Sequence, residues 1–309
     1  FWAGGLADYL RLYELSARAV KQVHAGLRVG GPASAAAGWV DQLLSHADAT
    51  GAPLDFVSTH TYGSPPVDLR PALARHGRPD TAIWWTEWGA TPQHFNPVND
   101  SVFAAAFTAR GMRSAAGRVQ ALAPWVASDH FEELGRPSAL LHGGFGLLTV
   151  GNLRKPRFWA LAMLNRLGDD ELAVELAGDG AGSLVEAWAG RDATGRVAVV
   201  VWNGTLDQSK IDGEPALARH LTLQVTGLPA AAYQLRHFRV DAGHSNLLAR
   251  WQARSGGADW PDAAEWPALQ GADRLDELEP ARPVTPRAGA VEVEFDLPMP
   301  ALSLLELVP

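Results

Sequence analysis

Cysteine is absent from the 309 residues. That excludes disulfides, thiolate nucleophiles and thiolate-ligated metals. Basic residues are sparse and scattered: 26 Lys and Arg stand against 34 Asp and Glu, a net charge of −8, with no basic block. A nucleic-acid backbone or an anionic membrane surface calls for a concentrated positive patch, so neither is an expected partner. No apolar run reaches the roughly 18–20 residues that span a bilayer. His-Glu-x-x-His is missing, and the ten His show no paired ligand spacing. No metal is expected from these patterns. Present instead are 47% hydrophobic residues, enough for a large core, and 12 Trp. Indole faces suit sugar rings, although each Trp taken singly is also an ordinary core filler.

Two glycine-rich stretches lead nowhere. "GDGAGS" (178–183) lacks the third glycine of a dinucleotide fingerprint. "HGGFG" (142–146) has the composition of an oxyanion loop, but no Gly-x-Ser-x-Gly elbow supplies a nucleophile.

Along the first half, helical and strand patterns alternate. Leu6, Tyr9, Leu10, Tyr13, Ala17 and Val20 recur at helical spacing over 6–24. "LRVGGPA" (27–33), "LDFVSTHTYG" (54–63), "IWWTEWG" (83–89) and "VQALAPWVASD" (119–129) read as strands. Helices are predicted at about 39–51, over 99–117 with Asn or Asp as cap, and over 154–168, where Pro opens and Gly closes the element. Such alternation predicts parallel βαβ units, whose active residues sit at the carboxyl ends of the strands. After about residue 168 the period changes. "HLTLQV" (220–225), "YQLRHF" (233–238) and "VEVEFD" (291–296) alternate apolar and polar residues, the mark of antiparallel strands with one wet face. "VAVVVWNG" (197–204) reads as a more buried strand. The expected organisation is α/β plus all-β: an α/β domain over 1–168, then a β-sandwich over 169–309 with a helical insertion around 246–287.

His60, Tyr62, Glu87 and Trp125 all fall at or near predicted strand ends, and Trp125 is followed by Asp129 and "FEE" (131–133). His60 and Tyr62 are two apart and share a side. A carboxylate within an apolar strand costs free energy unless it is paired, solvated or used. Each residue alone has a plain alternative: Glu87 a structural carboxylate, His60 a core histidine, Glu132 and Glu133 an exposed turn. Their shared placement on one rim favours chemistry. Paired acids with aromatic walls suit glycoside hydrolysis.

The sequence resembles the β-xylosidases of glycoside hydrolase family 39. The resemblance rests on "FWAGG" and "YLRLYELSARAVK" (within 1–21), "VGGPA" (29–33), "DFVSTHTYG" (55–63), "TEW" (86–88), "PWVASDHFEE" (124–133), "HGGFGLL" (142–148), "RKPRFWALAMLNRLG" (154–168) and "RVDAGHSN" (239–246), in that order. It implies a (β/α)8 TIM barrel, here its C-terminal half (strands 5–8), followed by a β-sandwich domain. It also implies retaining release of xylose from the non-reducing ends of β-1,4-xylooligosaccharides, with no cofactor. Glu87 matches the nucleophile. His60 and Tyr62 match residues lining the terminal sugar site, Trp125 matches an aromatic wall, and Glu132 and Glu133 match carboxylates that hold sugar hydroxyls. The family's acid/base, the Glu of an Asn-Glu-Pro motif, is expected upstream of Phe1, so this chain alone is expected to be nearly inactive.

Two other readings stand beside this one. An α-L-iduronidase-like hydrolase would want cations around a substrate carboxylate, whereas the matched rim residues here are acidic. A non-catalytic carbohydrate-binding protein would use the tryptophans and leave Glu87 inert.

Overall fold

A computed structural model describes residues 3–229 and 231–309. Phe1 and Trp2, which open the first stretch of the resemblance, lie outside the described residues. The chain forms two compact units. One comprises the residues up to Gly89 together with Ser114–Trp125; the other comprises Ala90–Arg113 and Val126–Pro309.

In the first unit, α1 (Leu6–Val23) precedes β1 (Gly30–Ala35), α2 (Val40–Thr50), β2 (Phe56–Tyr62), α3 (Arg70–Arg75) and β3 (Ala82–Gly89). After α4 (Val102–Ala115) the chain returns as β4 (Ala121–Pro124). The strands run in the order β1-β2-β3-β4, and every neighbouring pair is parallel. Each parallel step needs a crossover, and the helices between the strands supply it. The amphipathic pattern of α1 buries Tyr13 and Ala17 against Val29 and Leu43. Helix α3 is an element that the sequence pattern did not announce.

In the second unit, α5 (Pro156–Leu164) is followed by β5 (Asp170–Leu172), β6 (Val185–Arg191), β7 (Val197–Asn203), β8 (Arg219–Val225) and β9 (Tyr233–Val240). Then come α6 (Leu247–Ser255), α7 (Trp266–Ala272), β10 (Asp276–Val284), β11 (Val291–Leu297) and β12 (Ala301–Val308). Six strands form one antiparallel sheet in the order β10-β9-β12-β7-β6-β5, and β11 and β8 form a separate two-stranded ribbon. Residues 246–287 therefore hold two short helices and then an edge strand.

Burial explains the strand patterns. Val197, Val199 and Val201 of β7 meet Val293, Phe295 and Leu297 of the ribbon. The alternate residues Ala198, Val200 and Trp202 pack against Val102, Ala105, Ala106 and Ala109 of α4 and Trp159, Ala160 and Met163 of α5. A strand covered on both faces has to be apolar, as Val197–Trp202 of β7 are. The ribbon strands keep one wet face and alternate strictly.

Between β9 and β12 lies a buried polar network. Arg239 Nε donates to Ser303 Oγ at 3.0 Å, and His237 Nε2 is 2.9 Å from the same hydroxyl. Desolvation, reinforced by the positive charges of Arg239 and Arg282, pushes the His237 pKa down from 6.5 to about 3. Glu279, 3.9 Å from Nδ1 and 41% exposed, is the acidic neighbour. Between pH 6.5 and about 3 the unfolded imidazole binds a proton that the folded one refuses. The stability from this site is complete above pH 6.5 and is lost as pH falls toward 3, by up to about 1.4 kcal/mol per pH unit. Urea denaturation across that range should show the slope, and His237→Gln should flatten it. An unchanged slope in the variant would contradict the assignment.

Candidate active site

The site is built at the carboxyl ends of β2 and β3. His60 pairs in register with Glu87, and Tyr62 with Gly89. Spaced two apart on β2, the imidazole and the phenol face the same way. The Tyr62 hydroxyl donates to Glu87 Oε2 at 2.8 Å, and His60 Nδ1 lies 3.4 Å from Oε1. Each carboxylate oxygen thus has one named neighbour. The side chains of His60 and Glu87 are 19% and 27% exposed, sheltered yet reachable. The missing side chain of Gly89 makes room for this arrangement: a Cβ there would sit 3.3 Å from the Tyr62 ring.

Two of the three tryptophans of this strand are core rather than sugar platform. Trp85 and Trp88 are buried, and their indole N–H groups donate to Thr61 Oγ1 and the Ser64 carbonyl at 2.8 and 2.9 Å. Trp125 is only half-buried. Its backbone N–H donates to the Trp88 carbonyl at 2.9 Å, which extends the β3–β4 ladder one step beyond Pro124. His60, Tyr62, Glu87 and Trp125 therefore share one end of one sheet. Glu132 and Glu133 belong to the second unit. Both are exposed, and Glu132 Oε2 lies 4.0 Å from Arg136.

One residue of this end escaped the sequence reading. The Thr86 hydroxyl is 2.9 Å from His60 Nε2. Strict alternation would turn Thr86 away from the face that Glu87 occupies. The pairing skips it instead: Thr59 faces Trp85, whereas His60 faces Glu87. The β3–β4 ladder shifts over the same segment, between Trp85 and Trp88. A bulge of this kind re-aims side chains beside active sites, and nothing in "WWTEW" announces it.

A second constellation lies wholly in the second unit. Lys155, fully buried, places Nζ 2.6 Å from Asp100 Oδ1 and 2.6 Å from Asp129 Oδ2, and donates to the Gly144 carbonyl at 2.9 Å. Asp100 and Asp129 accept from the N–H groups of Gly143 and Gly146, each at 2.7 Å. Arg157 donates to the carbonyls of Phe145 and Gly146. "HGGFG" is thus a clamped structural loop. Gly146 is required there by close approach, because a Cβ would come within 2.3 Å of the Asp129 nitrogen. Asn99 and Asp100, expected as a helix cap, serve this loop instead, while the Ser101 hydroxyl accepts from Ala104 N at the start of α4. Beside the loop, burial pushes the His94 imidazole below its ordinary pKa, with its ring 4.8 Å from that of Phe145. No group of three or more His, Cys, Asp or Glu able to hold a metal occurs among the described residues.

A carboxylate that accepts from a phenol and is faced by an imidazole lies here at the carboxyl end of a parallel sheet, where α/β folds carry their active residues. The chain belongs to the glycosyl hydrolases family 39, whose family model matches residues 1–285. It is 33% identical over 198 residues to a β-xylosidase of Caldicellulosiruptor saccharolyticus, covering 57% of this chain and 40% of that protein. It is 32% identical over 238 residues to a β-xylosidase of Geobacillus stearothermophilus, covering 68% and 45%. The crystal structure of the GH39 enzyme from Xanthomonas axonopodis pv. citri matches with a TM-score of 0.85 at 27% identity, over 100% of this chain and 66% of that one. The matches thus span less than half the length of the two β-xylosidases.

Proposed function

We propose that this chain carries the nucleophile of a retaining glycosidase that releases xylose from the non-reducing ends of β-1,4-xylooligosaccharides. The observation that carries the reading is the Glu87 carboxylate, held by Tyr62 and faced by His60 at the carboxyl ends of parallel strands. Family membership and the β-xylosidase relatives support it. In this reading the sheet β1-β2-β3-β4 is strands 5–8 of a (β/α)8 barrel, the α/β domain covers 1–168, and 169–309 form the β-sandwich domain.

Retaining hydrolysis uses two carboxyls about 5–5.5 Å apart. Glu87 attacks the anomeric carbon while the second carboxyl, supplied from outside these 309 residues, protonates the departing oxygen. A covalent xylosyl–Glu87 ester results. The second group then takes a proton from water, which displaces Glu87 with a second inversion. His60 and Tyr62 fix the carboxylate and line the terminal sugar site, and Trp125 walls it. General acid help is typically worth about 10²–10⁴-fold, so residues 1–309 alone act only on substrates with activated leaving groups.

The test is hydrolysis by the longer polypeptide in which an acid/base carboxyl accompanies this chain. An aryl β-xyloside should be cleaved at least about 10²-fold faster than an aryl α-L-iduronide, a difference of about 2.7 kcal/mol. NMR should show β-xylose as the first product anomer. Preference for the iduronide, or α-xylose appearing first, would overturn the proposal.

A further inference from the structure

We infer that Thr86 is a positioning residue: its hydroxyl, brought onto the Glu87 face by the bulge in β3, sets the tautomer of His60 so that the ring donates from Nδ1 to Glu87. The inference rests on the reading of Glu87 as the attacking carboxylate.

The imidazole has two nitrogens and, when neutral, one proton. Nδ1 faces Glu87 Oε1 at 3.4 Å, and Nε2 faces Thr86 Oγ1 at 2.9 Å. An attacking carboxylate is an anion and can only accept. The Nδ1 beside it must therefore carry the ring proton, and Nε2 is left with a lone pair. That lone pair calls for a donor, which a hydroxyl can be and a carbonyl or carboxylate cannot. With the ring in the opposite tautomer, Nδ1 would turn a lone pair toward the anion.

Geometry shows that the placement is built. Thr86 and Glu87 are neighbours in a strand, where adjacent side chains point to opposite faces. Here both reach the same ring. The extra residue in β3 makes this possible, and the pairing shifts there toward β2 and over the same stretch toward β4. The other carboxylate oxygen accepts from the Tyr62 hydroxyl at 2.8 Å. Thr86 is exposed, so a substitution there leaves the core intact.

The experiment combines ¹⁵N NMR of the His60 ring in the 309-residue chain with single-turnover kinetics. His60 is assigned by its disappearance in His60→Gln. Wild type and Thr86→Ser should show the proton on Nδ1. Thr86→Val should shift the population toward Nε2–H. In the longer polypeptide, Thr86→Val should lower kcat on an aryl β-xyloside about 10–100-fold, the scale of a misoriented catalytic group, with KM changing less, and Thr86→Ser should restore it. A wild-type ring protonated on Nε2, or a Thr86→Val ring that keeps the Nδ1 proton, would overturn the inference. The expected tautomer change in a protein that cleaves no glycoside would uphold the positioning role and remove the hydrolase reading instead.

Discussion

Lys155→Met should lower the folding free energy by about 3–5 kcal/mol. The side chain is fully buried, and its ammonium is the cation bridging Asp100 and Asp129, at 2.6 Å from each. Met preserves much of the volume and removes the charge. Two buried carboxylates then lose that partner, and the Gly144 carbonyl loses a donor. Uncompensated buried charge is among the costliest single changes a fold can suffer. The ammonium also ties together segments distant in sequence, around Asp100, Asp129 and Gly144. Adding Asp100→Asn and Asp129→Asn to Lys155→Met should recover part of the loss, because neutral amides cost less to bury than anions. Urea denaturation measures both effects. A loss below about 1 kcal/mol for the single variant would show that the three charges are not coupled as the geometry indicates.

Glu87→Gln should reduce xyloside hydrolysis by about 10⁴–10⁶-fold, the scale seen when a covalent nucleophile is removed. Gln has nearly the same shape and can still accept from the Tyr62 hydroxyl, so the fold should be unaffected. What disappears is the negative oxygen that forms the ester in the proposed mechanism. The loss should fall on kcat, because Glu87 contributes mainly where the new bond forms. A variant that keeps more than a few per cent of the wild-type rate would place the nucleophile elsewhere.

The legibility of this chain in its sequence divides along physical lines. Local periodicity carried well: the ribbon strands β8 and β11 alternate as their letters do, and the apolar run of β7 is a strand covered on both faces. The strand ends that gather His60, Tyr62, Glu87 and Trp125 were also readable, since alternation and the rule of carboxyl-end sites place them. The partners of α4 and α5 were not readable. Both were expected beside parallel strands, and part of each packs on the antiparallel sheet, because an apolar stripe does not state what will cover it. Strand β10 was hidden by the acids and prolines of "DELEPARPV", which an edge position tolerates. Thr86 was invisible because a bulge breaks the alternation used to read a strand. The Lys155 cluster was invisible because its members are far apart in the chain and charged groups are expected outside.

The central claim is that Glu87 forms a covalent bond to xylose. The polypeptide carrying this chain should be incubated with a 2,4-dinitrophenyl 2-deoxy-2-fluoro-β-xyloside, whose leaving group needs no acid and whose fluorine slows release of the ester. Peptide mass spectrometry should then find one fluoroxylosyl group on the peptide containing "WWTEWG", attached to Glu87. A stoichiometric adduct on any other residue would contradict the account.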